Sequence, residues 1–202
     1  MIKLTIVPVS ILLFSMVVCA SQDDILMGDF EGKSYEDWKV EGTAFGRKPA
    51  TGTLPGQDVV SGFKGRGLAN SFLGGNEATG TLTSPEFQIK SNYINFLIGG
   101  GKSKGTRIDL LNGDGHYIMS IASGNQSESL EWASWDTSGR IGKWARLRIV
   151  DESTGEHILV DHIYRSDTPK VAPLLYLQKA AHGRAKTSIS ISLLKEQQQN
   201  VW

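Results

Sequence analysis

Glycine punctuates this chain, and that punctuation does most to decide what the chain can become. Twenty-three glycines fall among 202 residues. In residues 42–67 the run Gly42, Gly46, Gly52, Gly56, Gly62 and Gly65 is interleaved with Pro49 and Pro55. Glycine supplies the positive φ that tight turns need and weakens a helix from within, while proline removes a backbone donor. No helix spans such a segment, and short strands joined by turns are the expected form. An all-β class follows.

The stretches between turns carry strand signals. Residues 24–31 and 35–41 open the chain, with Trp38 as a core anchor, and short strands are expected near 43–45 and 67–70. Residues 79–83 and 86–89 read as strand broken at Pro85. Residues 93–98 are apolar on both faces apart from Asn95, the pattern of a central strand covered on both sides. Asn112-Gly113-Asp114-Gly115 is a hairpin signal between strands at 106–111 and 116–122. Residues 130–136 carry Trp132 and Trp135, and in 143–150 Ala145, Leu147 and Ile149 alternate with Arg146 and Arg148. A turn at 151–156 leads into a strand at 157–164. Roughly eight to ten short strands separated by turns predict an antiparallel β-sandwich. A chain of this length, 40% hydrophobic, buries one core. No internal repeat of about 20 to 50 residues is visible, which argues against a propeller or solenoid.

The two ends differ from the body. Residues 1–20 read as an export signal, with Lys3, an apolar run over 4–18 and the A-x-A-like Val18-Cys19-Ala20; the run is short for a membrane span. Cleavage after Ala20 removes the single cysteine. The alternative is that Cys19 becomes a lipidated first residue, so the expected location is secreted, periplasmic or cell-surface. The sandwich then occupies 21–167, and 168–202 reads as a linker and the start of a further unit. Within it, residues 186–194 alternate Ser188, Ser190 and Ser192 with Ile189, Ile191 and Leu193, a one-faced strand that needs a partner surface. Lys+Arg and Asp+Glu are each 21, so no net field draws the chain to nucleic acid or an anionic membrane. Asn125-Gln126-Ser127 fits the glycosylation sequon.

Motifs for chemistry are sparse. Gly99-Gly100-Gly101-Lys102-Ser103 contains part of a phosphate loop, but Phe96 stands where the first glycine is required and no helix pattern follows. The run is expected to be a sharp loop at a strand end. No G-x-S-x-G elbow occurs, and His116, His157, His162 and His182 lack metal-type spacing, so catalysis by this chain is not expected. Asp29, Glu31 and Asp161 stand out because first and last strands of a sandwich often adjoin; hard oxygen ligands from both suit a structural calcium ion. The same carboxylates could equally satisfy turn amides or basic neighbours. Candidate sugar contacts are Arg47, Asn70, Ser71, Asn76, Glu77, Arg107, Trp135 and Asp136, because sugars are held by planar polar groups with an aromatic ring against their C–H face. Core packing for Trp135 and solvent exposure for Arg107 are the competing readings.

An ordered series of motifs carries a resemblance. Phe30-Glu31-Gly32 with Trp38, Gly42-Thr43-Ala44-Phe45-Gly46, Gly52-Thr53-Leu54-Pro55-Gly56-Gln57, Asn70-Ser71-Phe72, Gly80-Thr81-Leu82-Thr83-Ser84-Pro85, Tyr93-Ile94-Asn95-Phe96-Leu97-Ile98, Trp135-Asp136 and Val160-Asp161-His162-Ile163 resemble a non-catalytic module. That module accompanies secreted levanases and related fructan hydrolases of glycoside hydrolase family 32, and is similar to carbohydrate-binding module family 66. The resemblance covers about residues 24–167 and implies a jelly-roll-like sandwich that recognises fructose units of levan- or inulin-type fructans. It also implies a partner, a catalytic propeller whose hallmarks (Trp-Met-Asn-Asp-Pro-Asn-type, Arg-Asp-Pro and Glu-Cys motifs) this chain lacks, as in a truncated or split enzyme. Where the family often has Gly-Gly-Asp, this chain has Gly74-Gly75-Asn76. The alternative is an accessory domain that packs on the propeller without binding glycan.

Overall fold

The computed structural model describes residues 24–122 and 125–172. The expected export signal at 1–20 and the strand at 186–194 lie outside the described residues. Within them run β1 (Ile25–Gly28), β2 (Lys39–Gly42), β3 (Ala69–Asn70), β4 (Gly80–Thr83), β5 (Phe87–Gln88), β6 (Tyr93–Gly100), β7 (Thr106–Asn112), β8 (Tyr117–Ala122), β9 (Ser127–Asp136), β10 (Trp144–Asp151) and β11 (Ile158–Ser166), with a single 3-10 turn at Ser138–Arg140. They form two antiparallel sheets. The first has the order β1-β11-β6-β9, with β3 also on β11; the second has the order β2-β4-β10-β7-β8, with β5 also on β10. This is the all-β antiparallel sandwich that the turn spacing predicts. First and last strands adjoin as expected, with Ile25 opposite Arg165 and Leu26 opposite Tyr164.

Alternation along the strands builds the core. Ile94, Phe96 and Ile98 of β6 point inward with Ala133 and Trp135 of β9, and meet Ile108, Leu110, Leu147 and Ile149 of the second sheet. Phe96 and Trp135 pack edge to face, centroids 4.9 Å apart at 70°. Both are fully buried, and each such side chain stabilises the fold by roughly 1.5 to 3 kcal/mol through removal from water.

The outer face of the first sheet is covered in part. Leu97, Leu130 and Leu159 point outward and are roofed by Val60 and Leu68, with Phe63 and Trp132 at the margin. Their roof is the glycine-rich segment 43–68. The strand expected at 43–45 does not form: Thr43 and Ala44 both donate their N–H to the Thr79 carbonyl, at 2.9 and 3.2 Å, which turns the chain out of the β2–β4 ladder and across the sandwich.

Two further departures bear on the site. The triple glycine is not a loop, because Gly99 and Gly100 continue β6. Gly100 has φ +95, and a Cβ there would lie 2.3 Å from the His157 carbonyl oxygen, so glycine is what lets β6 lie against β11 at this point. Residues 168–170, the described start of the expected linker, lie against the sandwich. Asn95 donates to the Thr168 carbonyl (3.1 Å), while the Lys170 N–H donates to Asn95 Oδ1 and Ser134 Oγ, each at 3.0 Å. The one polar residue in the central strand thus anchors the exit segment to the outer face of the first sheet.

Candidate ligand-binding site

Trp132 and Trp135 are three residues apart on β9, and an odd separation places them on opposite faces of the sheet. Trp135 enters the core and Trp132 faces outward. Beside it, β11 carries a bulge: Asp161 pairs with Leu97 but Tyr164 pairs with Asn95, so the step from 161 to 164 spans one residue more than its partner. His162 absorbs the extra residue at φ +49, and the bulge brings His162 and Tyr164 to the same outer face. The three rings meet edge to face: Trp132–His162 at 5.9 Å, Trp132–Tyr164 at 5.8 Å and His162–Tyr164 at 5.7 Å between centroids.

At the edge of the roof Trp132 and His162 stay partly exposed, while Tyr164 is buried between them and the sheet. They line a cleft of about 270 Å³ together with Asp24, Leu26, Lys64 and Lys170. Lys64 Nζ lies 5.9 Å and Lys170 Nζ 5.7 Å from the Trp132 ring centroid, and Lys170 also approaches the Tyr164 ring at 6.0 Å. Burial, reinforced by Lys64, lowers the proton affinity of His162, while burial and the nearby Asp24 charge push the Tyr164 hydroxyl up to about 12. At neutral pH the rings are therefore uncharged, and the ammonium groups supply donors. Apolar ring faces bordered by a few polar groups are the usual make-up of a small-ligand site.

The residues that the sequence proposes for a sugar site are dispersed. Asn70 and Ser71 are buried and serve the fold: Asn70 donates to Gln57 Oε1 (2.8 Å), and Ser71 Oγ accepts the Ile158 N–H (2.8 Å). They adjoin a network in which His157 bonds Asn76 Oδ1 at 2.8 Å and Glu128 at 2.9 Å, and Gln57 donates to Glu128 at 2.8 Å. Three of the eight candidates, Asn70, Ser71 and Asn76, thus come together, in a polar tie between loops. Asp151 is buried close by, its carboxyl pushed up to about 6 by burial against the opposing Ser71 hydroxyl. Arg47 and Glu77 are exposed. Arg107 lies on the outer face of the second sheet, paired with Asp109 at 3.2 Å and Glu152 at 2.8 Å. Trp135 is fully buried, so the stacking role expected of it is closed by core packing. Asp136 accepts the Ser138 N–H (2.9 Å) and hydroxyl (2.6 Å) at the 3-10 turn. The cleft residues Lys64, His162, Tyr164 and Lys170 were not among the sequence candidates; the parity of the two tryptophans was the readable signal for Trp132.

The three carboxylates expected to ligate calcium are neighbours with separate partners. Asp29 Oδ1 accepts the Glu31 N–H at 3.2 Å. Glu31 Oε1 accepts the N–H of Arg66 (2.7 Å) and Gly67 (2.8 Å), bonds that hold its pKa down. Asp161 is fully buried; its Oδ2 accepts the Lys64 N–H at 2.7 Å and its Oδ1 has no partner. Burial, with the charges of Glu31 and Asp29, raises its carboxyl to about 7. Among the described residues no group of three His, Cys, Asp or Glu side chains is arranged to hold a metal ion. The Lys64 and His162 N–H groups oppose the effect of burial on the Asp161 carboxyl without cancelling it.

No family model matches the chain. A curated relative, the putative glycosyl hydrolase ecdE of Aspergillus rugulosus, is 38% identical over 151 residues, which is 72% of this chain and 21% of the relative. The chain thus spans about a fifth of that relative. Among solved structures, the carbohydrate-binding module TmCBM61 in complex with beta-1,4-galactotriose is 20% identical, covering 68% of this chain and 92% of that one, with a TM-score of 0.44. A cleaved adhesin domain of Lys-gingipain from Porphyromonas gingivalis is 13% identical over 73% and 99% of the chains, with a TM-score of 0.47. A family 35 carbohydrate binding module from an environmental isolate is 13% identical over 67% and 99%, with a TM-score of 0.38.

Proposed function

We propose that this chain is an exported, non-catalytic glycan-binding module whose site is the Trp132–His162–Tyr164 cleft. One observation carries the reading: beside the loop that roofs part of the first sheet's outer face, a cleft gathers three rings and two lysines, with Trp132 and His162 partly exposed and Tyr164 at its buried end. The ligand class we propose is the fructose units of levan- or inulin-type fructans, a choice supported by the motif resemblance, in service of a larger glycoside hydrolase. The 38% identity to a putative glycosyl hydrolase several times longer supports that setting. Among the described residues no helix is long and apolar enough to cross a membrane. Each hydrogen bond gained against water contributes about 0.5 to 1.5 kcal/mol, so single-site binding is weak, roughly millimolar to micromolar. Calorimetric titration with levan, inulin and fructose should give saturable heat with at least one; a flat trace with all three contradicts the reading.

We further propose that a calcium ion sits against Asp161 Oδ1, with Asp29 and Glu31 as the adjoining carboxylates. Such a cation would offset the negative charge gathered at the buried Asp161 and its neighbours Glu31 and Asp29. Because a ligand of the native state stabilises it by mass action, the melting temperature should rise when millimolar calcium replaces EDTA. An unchanged melting temperature would mean that the carboxyl is buried protonated instead.

A further inference from the structure

The outer face of the second sheet holds a feature that the cleft does not use. Tyr117 and Trp144 are 59% and 54% exposed, and among the described residues they are the two aromatic side chains that face solvent to this degree. Both stand on this one face. On β10, Ala145, Leu147 and Ile149 enter the core, so Trp144, Arg146 and Arg148 project outward by alternation. Leu111 pairs with Arg146 on one side and Tyr117 on the other. Tyr117 and Trp144 are therefore two strands across and two residues along from each other, roughly 12 Å by strand geometry.

The polar groups around them are fixed in advance. Asp109, fully buried, holds Arg107 at 3.2 Å and Arg148 at 3.3 Å. Arg148 Nη2 donates to Tyr117 Oη at 2.8 Å, and Arg107 Nη2 reaches the same oxygen at 3.4 Å. An oxygen that accepts from two guanidinium groups keeps its own proton free to donate outward. The remaining charges pair on the same face: Arg107 with Glu152 (2.8 Å), Arg146 with Glu86 (3.4 Å) and Lys39 with Glu41 (2.8 Å). Each cation has its anion, so the face presents planar donors and acceptors with no net field.

We propose that this face is a second glycan-binding surface, on which a neutral polysaccharide chain lies across β10, β7 and β8 between Trp144 and Tyr117. The two rings offer platforms for sugar C–H faces, and the paired charges offer directed hydrogen bonds. A nucleic acid calls for unpaired cations, and a protein partner for an apolar centre that desolvates readily; a ladder of ion pairs suits neither. The surface lies on the sheet opposite the cleft and does not depend on it. With both engaged, one molecule holds two glycan segments and gains avidity on a polymer that it lacks on a single sugar.

Affinity electrophoresis in gels of levan, inulin and galactan, paired with titration by free fructose, separates the two surfaces in the full chain. W144A and the Y117A/W144A double variant replace exposed side chains, and circular dichroism checks that they fold. The double variant should lose at least fivefold in affinity for at least one polymer while its response to fructose matches wild type, and the indole N–H resonance of Trp144 should shift when that polymer is added. Wild-type retardation of the double variant in every gel, with an unmoved Trp144 resonance, overturns the proposal, as does failure of wild type to bind any polymer. Loss of polymer binding in the double variant with an unaltered fructose response in W132A upholds this surface and removes the cleft reading instead.

Discussion

Trp135 and Trp132 show how far one residue's fate follows from its position on a strand. Trp135 lies at zero exposure against Phe96; Trp135→Ala should cost about 3 to 5 kcal/mol by leaving a cavity between the sheets, measured by urea denaturation. Their opposite faces were legible from an odd separation in a strand. The outward direction of His162 and Tyr164 was not, because one extra residue in β11 reverses the face that alternation from the inward Val160 would give them, and a bulge leaves no fixed mark in hydrophobic alternation. Nor was the burial of Asn70 and Ser71 legible, since polar side chains satisfied by loops three-dimensionally close look in sequence like exposed ones.

Two buried carboxyls at this scale set a pH dependence. Asp161 at about 7 and Asp151 at about 6 are both raised above the usual range, chiefly by burial. A group whose pKa is higher folded than unfolded binds more protons in the native state, so its stabilisation is complete below about pH 4 and is lost as pH rises through the folded value. Glu31, held low chiefly by the Gly67 and Arg66 amides, acts in the opposite sense and loses its contribution as pH falls below the normal carboxylate range. Metal-free protein should therefore be most stable near pH 5 and weaken toward pH 8 in urea titrations, with Asp161→Asn flattening that decline. Stability rising steadily from pH 5 to 8 contradicts the assignment.

At the scale of elements, strands whose signals were local were legible. The Asn112-Gly113-Asp114-Gly115 turn and the apolar run of β6 lie where periodicity placed them. The segment 43–68 was misread at 43–45 because its role is to cover a sheet, and its apolar residues Val60, Phe63 and Leu68 answer to Leu97, Leu130 and Leu159 far along the chain. The triple glycine was likewise legible as glycine and not as strand, since the reason for Gly100 is the His157 carbonyl across the ladder. Gly100→Ala should destabilise by at least about 2 kcal/mol, because it adds a clash at 2.3 Å to the cost of φ +95. Gly56 has φ +82 with nothing within 4 Å of a Cβ, so Gly56→Ala should cost about 1 kcal/mol. Equal losses in thermal unfolding would mean that the close approach to β11 contributes nothing.

For the whole molecule, the two outer faces of the sandwich are built differently. The first sheet is roofed by segment 43–68 and strapped by residues 168–171 through Asn95 and Ser134, and the roof and strap leave one aromatic cleft between them. Lys170 belongs to the strap and to the cleft at once.

The central claim is tested most directly by titrating wild type and W132A with the glycan that gives wild-type heat. Trp132 is partly exposed and sits at the edge of the outer cluster, so its removal should leave the fold intact. The account predicts at least a tenfold loss of affinity in W132A with an unchanged circular dichroism spectrum. Equal affinity in the two proteins would contradict it and place the sugar elsewhere on the sandwich.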